Sequence, residues 1–428
     1  MRALVYPLKH PLRGFVKAPP SKSYTHRALF ASLLANGYSR VVNSLVAGDT
    51  LATLSTINSF GSVTTLVSTG EYDEVLVRGV GECVRNPVRI YCRGSGTTLR
   101  IATAVAALTE GPTLIYGNES LNRRPVGPLL KALNSLGVRT ASINGKPPVI
   151  VEGPIKVRDA EVLIDASVSS QFVTALLMIA PVIGLRIKVV GRVKSAPYID
   201  LTLKVLKAFG VSFERVGYRE FIVRECRYLP TEFTVPNDYS SASLIMAAAA
   251  LGGGEVVIEG LDLSDPQGDK EFIKILKEFG AEVRVRGSLV EVVGSESLVG
   301  TTVDCSNTPD LVPTIAAVAA HARGVTEVVG ADHLVFKESN RLVTLAKNLR
   351  ALGVEASVTR DGLVIRGGGV RGGVVNSFGD HRVAMSMVVT ALRAESPVVI
   401  EGIECFTDSY PNFLTDLRSL GALIEVIK

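Results

Sequence analysis

A pattern that recurs six times leaves this chain little freedom in how it can fold. Apolar residues fall at helical spacing and the stretch ends in glycine at 53–61, 129–137, 202–210, 272–280, 345–353 and 413–421. The closing glycines, from Gly61 to Gly421, are separated by 76, 73, 70, 73 and 68 residues. Glycine suits the left-handed position that ends a helix. A second series lies between these stretches. Ser23, Ser95, Ser169, Ser240, Pro309 and Asp380 each sit in a polar or glycine-bearing turn, with separations of 72, 74, 71, 69 and 71. Helices rich in Ala, Leu and Val follow, expected over 28–35, 99–108, 172–179, 242–251, 311–320 and 383–392. They are apolar nearly all round, as buried helices are. Alternating strands follow several copies, as in Ala281-Glu-Val-Arg-Val-Arg286.

Each unit therefore reads as buried helix, strands, surface helix ending in glycine, and strands again. The class is α/β, and six units make a duplicated trio of two similar halves. Length agrees, since 428 residues exceed one typical core. Ala18-Pro19-Pro20 and Thr234-Val235-Pro236-Asn237 mark the expected crossings. The halves then comprise 19–235, and 1–18 with 236–428. Two short crossings would permit a hinge; rigid turns would look the same.

Composition removes several classes. Net charge is +5 and spread along the chain, whereas a nucleic-acid binder usually clusters its basic residues. Five scattered cysteines without a CxxC pair argue against a disulfide framework or zinc site and for a reducing cytoplasm. The first seven residues hold no signal-peptide core. The longest apolar run, 172–185, falls short of the ~18–20 residues of a membrane span and is interrupted by Pro181. A dehydrogenase would need a GxGxxG turn after its first strand, with an acidic residue beyond. Only two glutamines occur, Gln171 and Gln267, and scarce amides hint at a thermophilic source.

The six turns differ in polarity, and that difference points to chemistry. Ala18-Pro-Pro-Ser-Lys-Ser-Tyr-Thr-His-Arg27 opens the first buried helix. Helix starts favour anions, and Lys22 and Arg27 add charge while Ser21, Ser23 and Thr25 add hydroxyls. A capped helix with solvated charges would give the same string. Arg93-Gly-Ser-Gly-Thr-Thr-Leu-Arg100 lets a ligand approach the backbone, although it is not a Walker A loop. Asn122-Arg-Arg-Pro-Val-Gly127 offers arginine forks before a helix opened by proline, one of them only a surface charge. Ser169-Ser170-Gln171 supplies neutral donors. Asp310 stands at a buried-helix entrance, where capping is the common alternative. Lys337-Glu-Ser-Asn-Arg341 gathers a base, an acid and a guanidinium within about one helical turn, and Arg382 follows His381. Equivalent turns of pseudo-symmetric halves would face one cleft. Lys22, Arg27, Arg124, Lys337, Arg341 and Arg382 would suit a ligand set of several negative charges there. Asp310 and Glu338 would be its only carboxylates, hence candidates for acid and base work.

These residues resemble the 5-enolpyruvylshikimate-3-phosphate (EPSP) synthase family of enolpyruvyl transferases. The resemblance covers essentially the whole chain. It rests on Pro20-Ser-Lys-Ser-Tyr-Thr-His-Arg27, Gly94-Ser-Gly-Thr-Thr-Leu-Arg100, Arg124-Pro125, Ser169-Ser-Gln171, Ser195-Ala-Pro-Tyr198, Pro309-Asp310, Lys337-Glu-Ser-Asn-Arg341 and Asp380-His-Arg382. It implies two domains of three βαβαββ units each around buried helices, an inside-out α/β barrel closing on substrate. It also implies transfer of enolpyruvyl from phosphoenolpyruvate to the 5-hydroxyl of shikimate 3-phosphate, with release of phosphate. By resemblance, shikimate 3-phosphate meets Lys22, Ser23, Arg27, Ser169, Ser170, Gln171, Ser195, Tyr198, Asp310 and Lys337. Phosphoenolpyruvate meets Lys22, Gly96, Arg124, Gln171, Arg341 and Arg382. Glu338 is similar to the family's proton donor and acceptor at C3, Asp310 to the group handling the hydroxyl proton, and Lys22 would stabilise departing phosphate. No metal or organic cofactor is implied. The partners implied are these two small molecules, with no nucleic acid or membrane, and the enzyme would be a cytoplasmic monomer. Gly96, lacking a side chain, leaves room for glyphosate, so sensitivity to it is expected.

The sequence departs from the family pattern in four places. Pro20 replaces a common glycine. His333 replaces a common asparagine and is left out of the site, and Val335 replaces a common basic residue. Asp408 replaces a lysine on phosphoenolpyruvate, which implies weaker binding of that substrate. Two rival readings are the sister enzyme that uses UDP-N-acetylglucosamine and a non-catalytic anion-binding protein of the same repeats. The sister enzyme carries Lys-Asn near its N-terminus and a reactive cysteine in the loop before Arg-Pro. Here that loop, 117–124, has none.

Overall fold

The computed structural model describes residues 1–427. It divides into two compact units, Pro20–Pro236 and Met1–Pro19 with Asn237–Lys428. The chain passes between them at Pro19–Pro20 and at Pro236–Asn237, where proline fixes φ and withholds an N–H.

The buried helices are α1 (Lys22–Leu34), α2 (Gly96–Ala106), α3 (Gln171–Ile183), α4 (Tyr239–Leu251), α5 (Val312–Ala319) and α6 (His381–Ala391). Their all-round apolar composition matches their place: all thirteen residues of α4 and all eight of α5 are buried. Helices α1 to α3 fill the core of one unit, and α4 to α6 that of the other. At about 1.5–3 kcal/mol per large apolar side chain, this burial is the main term holding each unit together. Several hydroxyls carried inward are satisfied by the preceding turn. Thr103 donates to the Leu99 carbonyl, Ser386 to Val383 and Thr390 to Ser386. Helix α3 extends past the expected end at 179 and runs through Pro181 to Gly184, whose N–H bonds the Ala180 carbonyl. The Pro181 carbonyl, free of a helical partner, accepts from Cys226 N at 2.7 Å.

The described strands form six four-stranded sheets. One of them states the plan. Arg89–Tyr91 runs parallel to Gly111–Tyr116, with α2 as the crossover between them. Gly111–Tyr116 is antiparallel to Lys146–Gly153, and that strand is antiparallel to Arg139–Ile143. Alternate residues face in, with Val149 and Val151 buried and Ile150 exposed, as in a sheet with one wet face. Three strands come from afar: Glu232–Thr234 joins Asn36–Val42, Arg13–Lys17 joins Glu255–Glu259, and Arg2–Val5 lies between Val398–Glu401 and Ile424–Ile427. The recurring glycines all have positive φ, from 79° at Gly210 to 111° at Gly421, so each stops its surface helix as the pattern predicts.

The shared plan has a consequence for function. The buried helices start at one kind of place, the turn after the parallel edge strand. Polar groups in equivalent turns are thereby delivered to equivalent ends of each unit.

Candidate functional site

In the Pro20–Pro236 unit, Lys22 is the first residue of α1 and its Nζ lies 2.9 Å from Asp49 Oδ2. Asp49 belongs to the first turn of the Gly48–Ser59 helix. Beside it, α2 begins at Gly96, capped by Ser95, whose Oγ accepts from Thr98 N. A carbon added at Gly96 would stand 2.4 Å from Arg100 Nη1, 3.3 Å from Arg124 Nη1 and 3.4 Å from Gln171 Oε1. Two guanidinium groups and an amide thus converge on one bare backbone position. The cluster is built, not loose. Arg100 Nη1 donates to Gln171 Oε1 at 2.9 Å, its Nη2 donates to the Pro125 carbonyl at 3.0 Å, and the guanidinium lies over the Phe172 ring. Gln171 Nε2 donates to Thr97 Oγ1, its backbone N–H donates to Ser169 Oγ, and Arg124 Nη2 donates to Ser120 Oγ. Arg123, the other arginine of that pair, makes only an exposed ion pair with Glu119. The proline opening the next helix, Gly127–Ser135, is Pro128.

Arg27 is placed differently from an exposed ligand. It is 1% exposed and donates to Thr202 Oγ1, Thr174 Oγ1 and the carbonyls of Ser23 and Tyr198. It ties α1 to α3 and to the Pro197–Ala208 helix, fixing the turns that present Ser23 and Tyr198. Burial brings its pKa down to about 10, with Tyr24 and Tyr198 opposing, so it stays charged at neutral pH. Ser169 and Tyr198 are half-buried; Ser170 and Ser195 are buried. Ser195 holds φ at +57°, Arg93 at +52° and Phe378 at +53°. Left-handed non-glycine residues cost free energy and gather where structure serves a site. Arg93 and Phe378 lie in polar turns that the sequence singles out, and Ser195 in a segment named by resemblance; Asn43, Asn144 and Asp159 share the conformation elsewhere.

In the other unit the centre is Arg341, the first residue of the Arg341–Ala351 helix, with a side chain 2% exposed. Its Nε donates to Asp380 Oδ2 at 2.9 Å, Nη1 to Asp310 Oδ1 at 2.8 Å and Nη2 to Glu338 Oε2 at 2.7 Å. A cation at a helix N-terminus is unfavourable in itself. Burial lowers the pKa of this one, but Asp380, Glu338 and Asp310 together more than reverse that, leaving it firmly protonated. Lys337 Nζ lies 3.5 Å from Asp310 Oδ1, and Arg382 Nη2 lies 3.7 Å from Asp310 Oδ2. Arg382 Nη1 donates to the Ser240 carbonyl at 2.9 Å.

Two expectations need correction. Lys337 to Arg341 do not share a helical turn: Asn340 caps the helix by accepting from Val343 N, and Lys337 and Glu338 precede it in a non-helical bend. Nor are Asp310 and Glu338 the only carboxylates at the polar turns. Asp49 holds Lys22, and Asp380, fully buried, holds Arg341 and also accepts from Arg382 N. Asp269 lies beneath Ser240. The Arg341 cluster, with Lys337, Arg341 and Arg382 against Asp310, Glu338 and Asp380, is therefore balanced rather than cationic. Of the positions departing from the family pattern, His333 is buried, Val335 is 40% exposed, and Asp408 ends the Ile403–Asp408 turn.

Comparison with known proteins shows the family and the fold. The family model for EPSP synthase (3-phosphoshikimate 1-carboxyvinyltransferase) matches residues 8–417. The 3-phosphoshikimate 1-carboxyvinyltransferase of Aeropyrum pernix is 48% identical over 431 residues, covering 100% of this chain and 97% of its own. That of Thermococcus kodakarensis is 43% identical, covering 96% and 98%. The solved EPSP synthase of Acinetobacter baumannii superposes with a TM-score of 0.82 at 27% identity and full coverage of both chains. The enolpyruvyl transferase NikO of Streptomyces tendae shares the fold, with a TM-score of 0.80 at 17% identity over 99% of this chain and 98% of its own.

Proposed function

The chain belongs to the EPSP synthase family and transfers the enolpyruvyl group of phosphoenolpyruvate to the 5-hydroxyl of shikimate 3-phosphate, and we propose how its own residues divide that work. The reaction places it in the shikimate route to aromatic amino acids. It needs a proton delivered to C3 of phosphoenolpyruvate and one removed from the attacking hydroxyl. The 5-oxygen bonds to C2, and the resulting adduct then breaks its C2–O bond to phosphate while C3 gives up a proton.

The observation that carries the assignment of roles is Arg341, which grips Asp310 and Glu338 at 2.8 and 2.7 Å. Two carboxyls held by one guanidinium are oriented before substrate arrives, which removes an ordering cost from the transition state. Glu338 serves C3 and Asp310 serves the hydroxyl. Each is about a fifth exposed, at 18% and 19%, and so remains within reach of a ligand. Lys22 stabilises the departing phosphate, with Asp49 fixing its ammonium. Gly96, Arg124, Gln171, Arg341 and Arg382 take the carboxylate and phosphate of phosphoenolpyruvate. Arg341 must then exchange part of its own carboxylate shell for those of the substrate. Ser23, Ser169, Ser170, Gln171, Ser195, Tyr198 and Lys337 take shikimate 3-phosphate, with Arg27 setting the turns that carry Ser23 and Tyr198. Glyphosate, an anion of similar size, binds beside Gly96 in place of phosphoenolpyruvate.

The test is phosphate release from phosphoenolpyruvate with shikimate 3-phosphate or UDP-N-acetylglucosamine as acceptor, for wild type and Glu338→Ala. Release with the first acceptor only, cut by at least about a hundredfold in the variant, supports the roles. Undiminished release by the variant removes Glu338 from the chemistry, and glyphosate inhibition that does not compete with phosphoenolpyruvate removes its place beside Gly96.

A further inference from the structure

The first turn of α4 follows directly on the Pro236–Asn237 crossing and is gripped by the loop at 262–271. Gln267 Nε2 donates to the Asn237 carbonyl at 2.8 Å, and its Oε1 accepts from Tyr239 N. Two residues on, in the short turn Gly268–Glu271, Asp269 is 3% exposed and accepts a hydrogen bond from Ser240 Oγ. The carbonyl of that same Ser240 accepts from Arg382 Nη1. A buried acid is therefore one residue removed from a guanidinium assigned to phosphoenolpyruvate.

The groups around Asp269 come from several elements. Asp310 faces it from the Pro309–Leu311 turn, Arg382 from α6, Asp238 and Ser240 from the start of α4, and the Cys305 thiol from the loop after Thr302–Asp304. On its own turn Lys270 is engaged with the carbonyls of Leu263 and Asp265, and Glu271 is exposed. A second ionised carboxylate beside Asp310, out of water, is costly. Burial first, then the Asp310 charge, push the Asp269 carboxyl up to about 7, against the pull of Ser240 and Arg382.

We propose that Asp269 is a positioning residue that holds Arg382 through Ser240, does so as the neutral acid, and on ionising weakens the grip of Arg382 on phosphoenolpyruvate. This rests on the assignment of Arg382 to that substrate. With its proton on, Asp269 adds no charge to that of Asp310 against Arg382. With the proton lost, one more carboxylate offsets that guanidinium, and an anion arriving there meets a weaker attraction.

The experiment measures KM for phosphoenolpyruvate from pH 6 to pH 9 in the full-length wild type and in Asp269→Asn. Asparagine keeps an oxygen for Ser240 and stays neutral throughout. The substrate's phosphate titrates identically in both assays, so the readout is the ratio of wild-type to variant KM. That ratio is expected to climb about tenfold along a one-proton curve centred near pH 7. A ratio independent of pH is what a purely structural aspartate gives, and it overturns the proposal.

A substrate-free measurement separates this outcome from failure of the functional assignment. Infrared spectroscopy should find a protonated-carboxyl stretch in the wild type that vanishes between pH 6 and 8.5, is missing in Asp269→Asn and persists in Ser240→Ala. Absence of that band from the wild type refutes the neutral acid whether or not the protein turns over. The band together with a flat KM ratio refutes the link to Arg382.

Discussion

Replacing Gly96 by alanine puts a methyl carbon 2.4 Å from Arg100 Nη1. Ordinary contact begins near 3.4 Å, so the guanidinium has to retreat by roughly 1 Å. It cannot retreat and keep both its 2.9 Å bond to Gln171 and its 3.0 Å bond to the Pro125 carbonyl. A hydrogen bond from a charged donor contributes about 1.5–3 kcal/mol. Losing one, with Gln171 also released from its place, therefore corresponds to a 10- to 100-fold rise in KM for phosphoenolpyruvate at about 1.4 kcal/mol per decade. The same methyl fills the space assigned to glyphosate, so inhibition weakens in parallel. KM for shikimate 3-phosphate should rise less than KM for phosphoenolpyruvate, because Gln171, at 3.4 Å, is the one group assigned to shikimate 3-phosphate among the three nearest the methyl. Steady-state kinetics at saturating shikimate 3-phosphate, with a thermal melt beside them, decide the matter. An unchanged KM for phosphoenolpyruvate refutes the convergence on Gly96. A general loss of stability with both KM values raised would mean that the turn is a folding element rather than a substrate seat.

Three further outcomes follow from other parts of the molecule. Asp49→Asn removes the charge that fixes Lys22 at 2.9 Å and should lower kcat/KM about tenfold with little change in thermal stability; equal activity would show that Lys22 needs no anchor. His321 is half-buried with its Nε2 bonded to the Thr390 carbonyl, and loss of water around it holds its pKa near 4, well below the ordinary 6.5. As pH falls, the unfolded chain takes up that proton first, so this stability is complete above pH 6.5 and is lost between 6.5 and 4, about 3 kcal/mol in all. Urea unfolding of wild type and His321→Gln at pH 7.5 and 4.5 should find the loss only in wild type, and equal losses would refute it. Asp408→Lys should lower KM for phosphoenolpyruvate by supplying the cation that the family resemblance leads one to expect there, and an unchanged constant contradicts the role given to that position.

The sequence made the architecture legible because repetition is a local signal. Glycines at 68 to 76 residue intervals report where helices stop, and their positive φ values confirm the reading at each of the six positions. The all-round apolar helices were equally plain. Pairings across the fold were not. Asp49 joins Lys22 over 27 residues, Asp380 joins Arg341 over 39, Arg100 joins Gln171 over 71, and Ser240 joins Arg382 over 142. No spacing rule reports a partner chosen by the meeting of separate helix starts. Arg100 alone left a trace: four residues past Gly96 on a helix, it returns to the same face. Arg27 shows the converse limit. A charge in a polar motif looks exposed in the sequence, and only packing reveals that it is 1% exposed and bonded to Ser23, Thr174, Tyr198 and Thr202.

The strand Arg2–Val5 lies in the middle of its sheet, between Val398–Glu401 and Ile424–Ile427. A ribosome makes this strand roughly 390 residues or more ahead of both its neighbours. Residues 20–236 can therefore complete their three sheets while synthesis continues. The opening strand must wait, unpaired and with two open edges, until almost the whole chain has emerged. Its alternate residues Ala3 and Val5 are fully buried in the finished fold, so the waiting segment is sticky as well as unpaired. Cells producing this protein should thus carry the greatest risk of misassembly in the interval before residues 398–427 emerge. An order of synthesis that placed this strand next to its sheet neighbours would remove the wait while keeping the same pairing in the finished sheet.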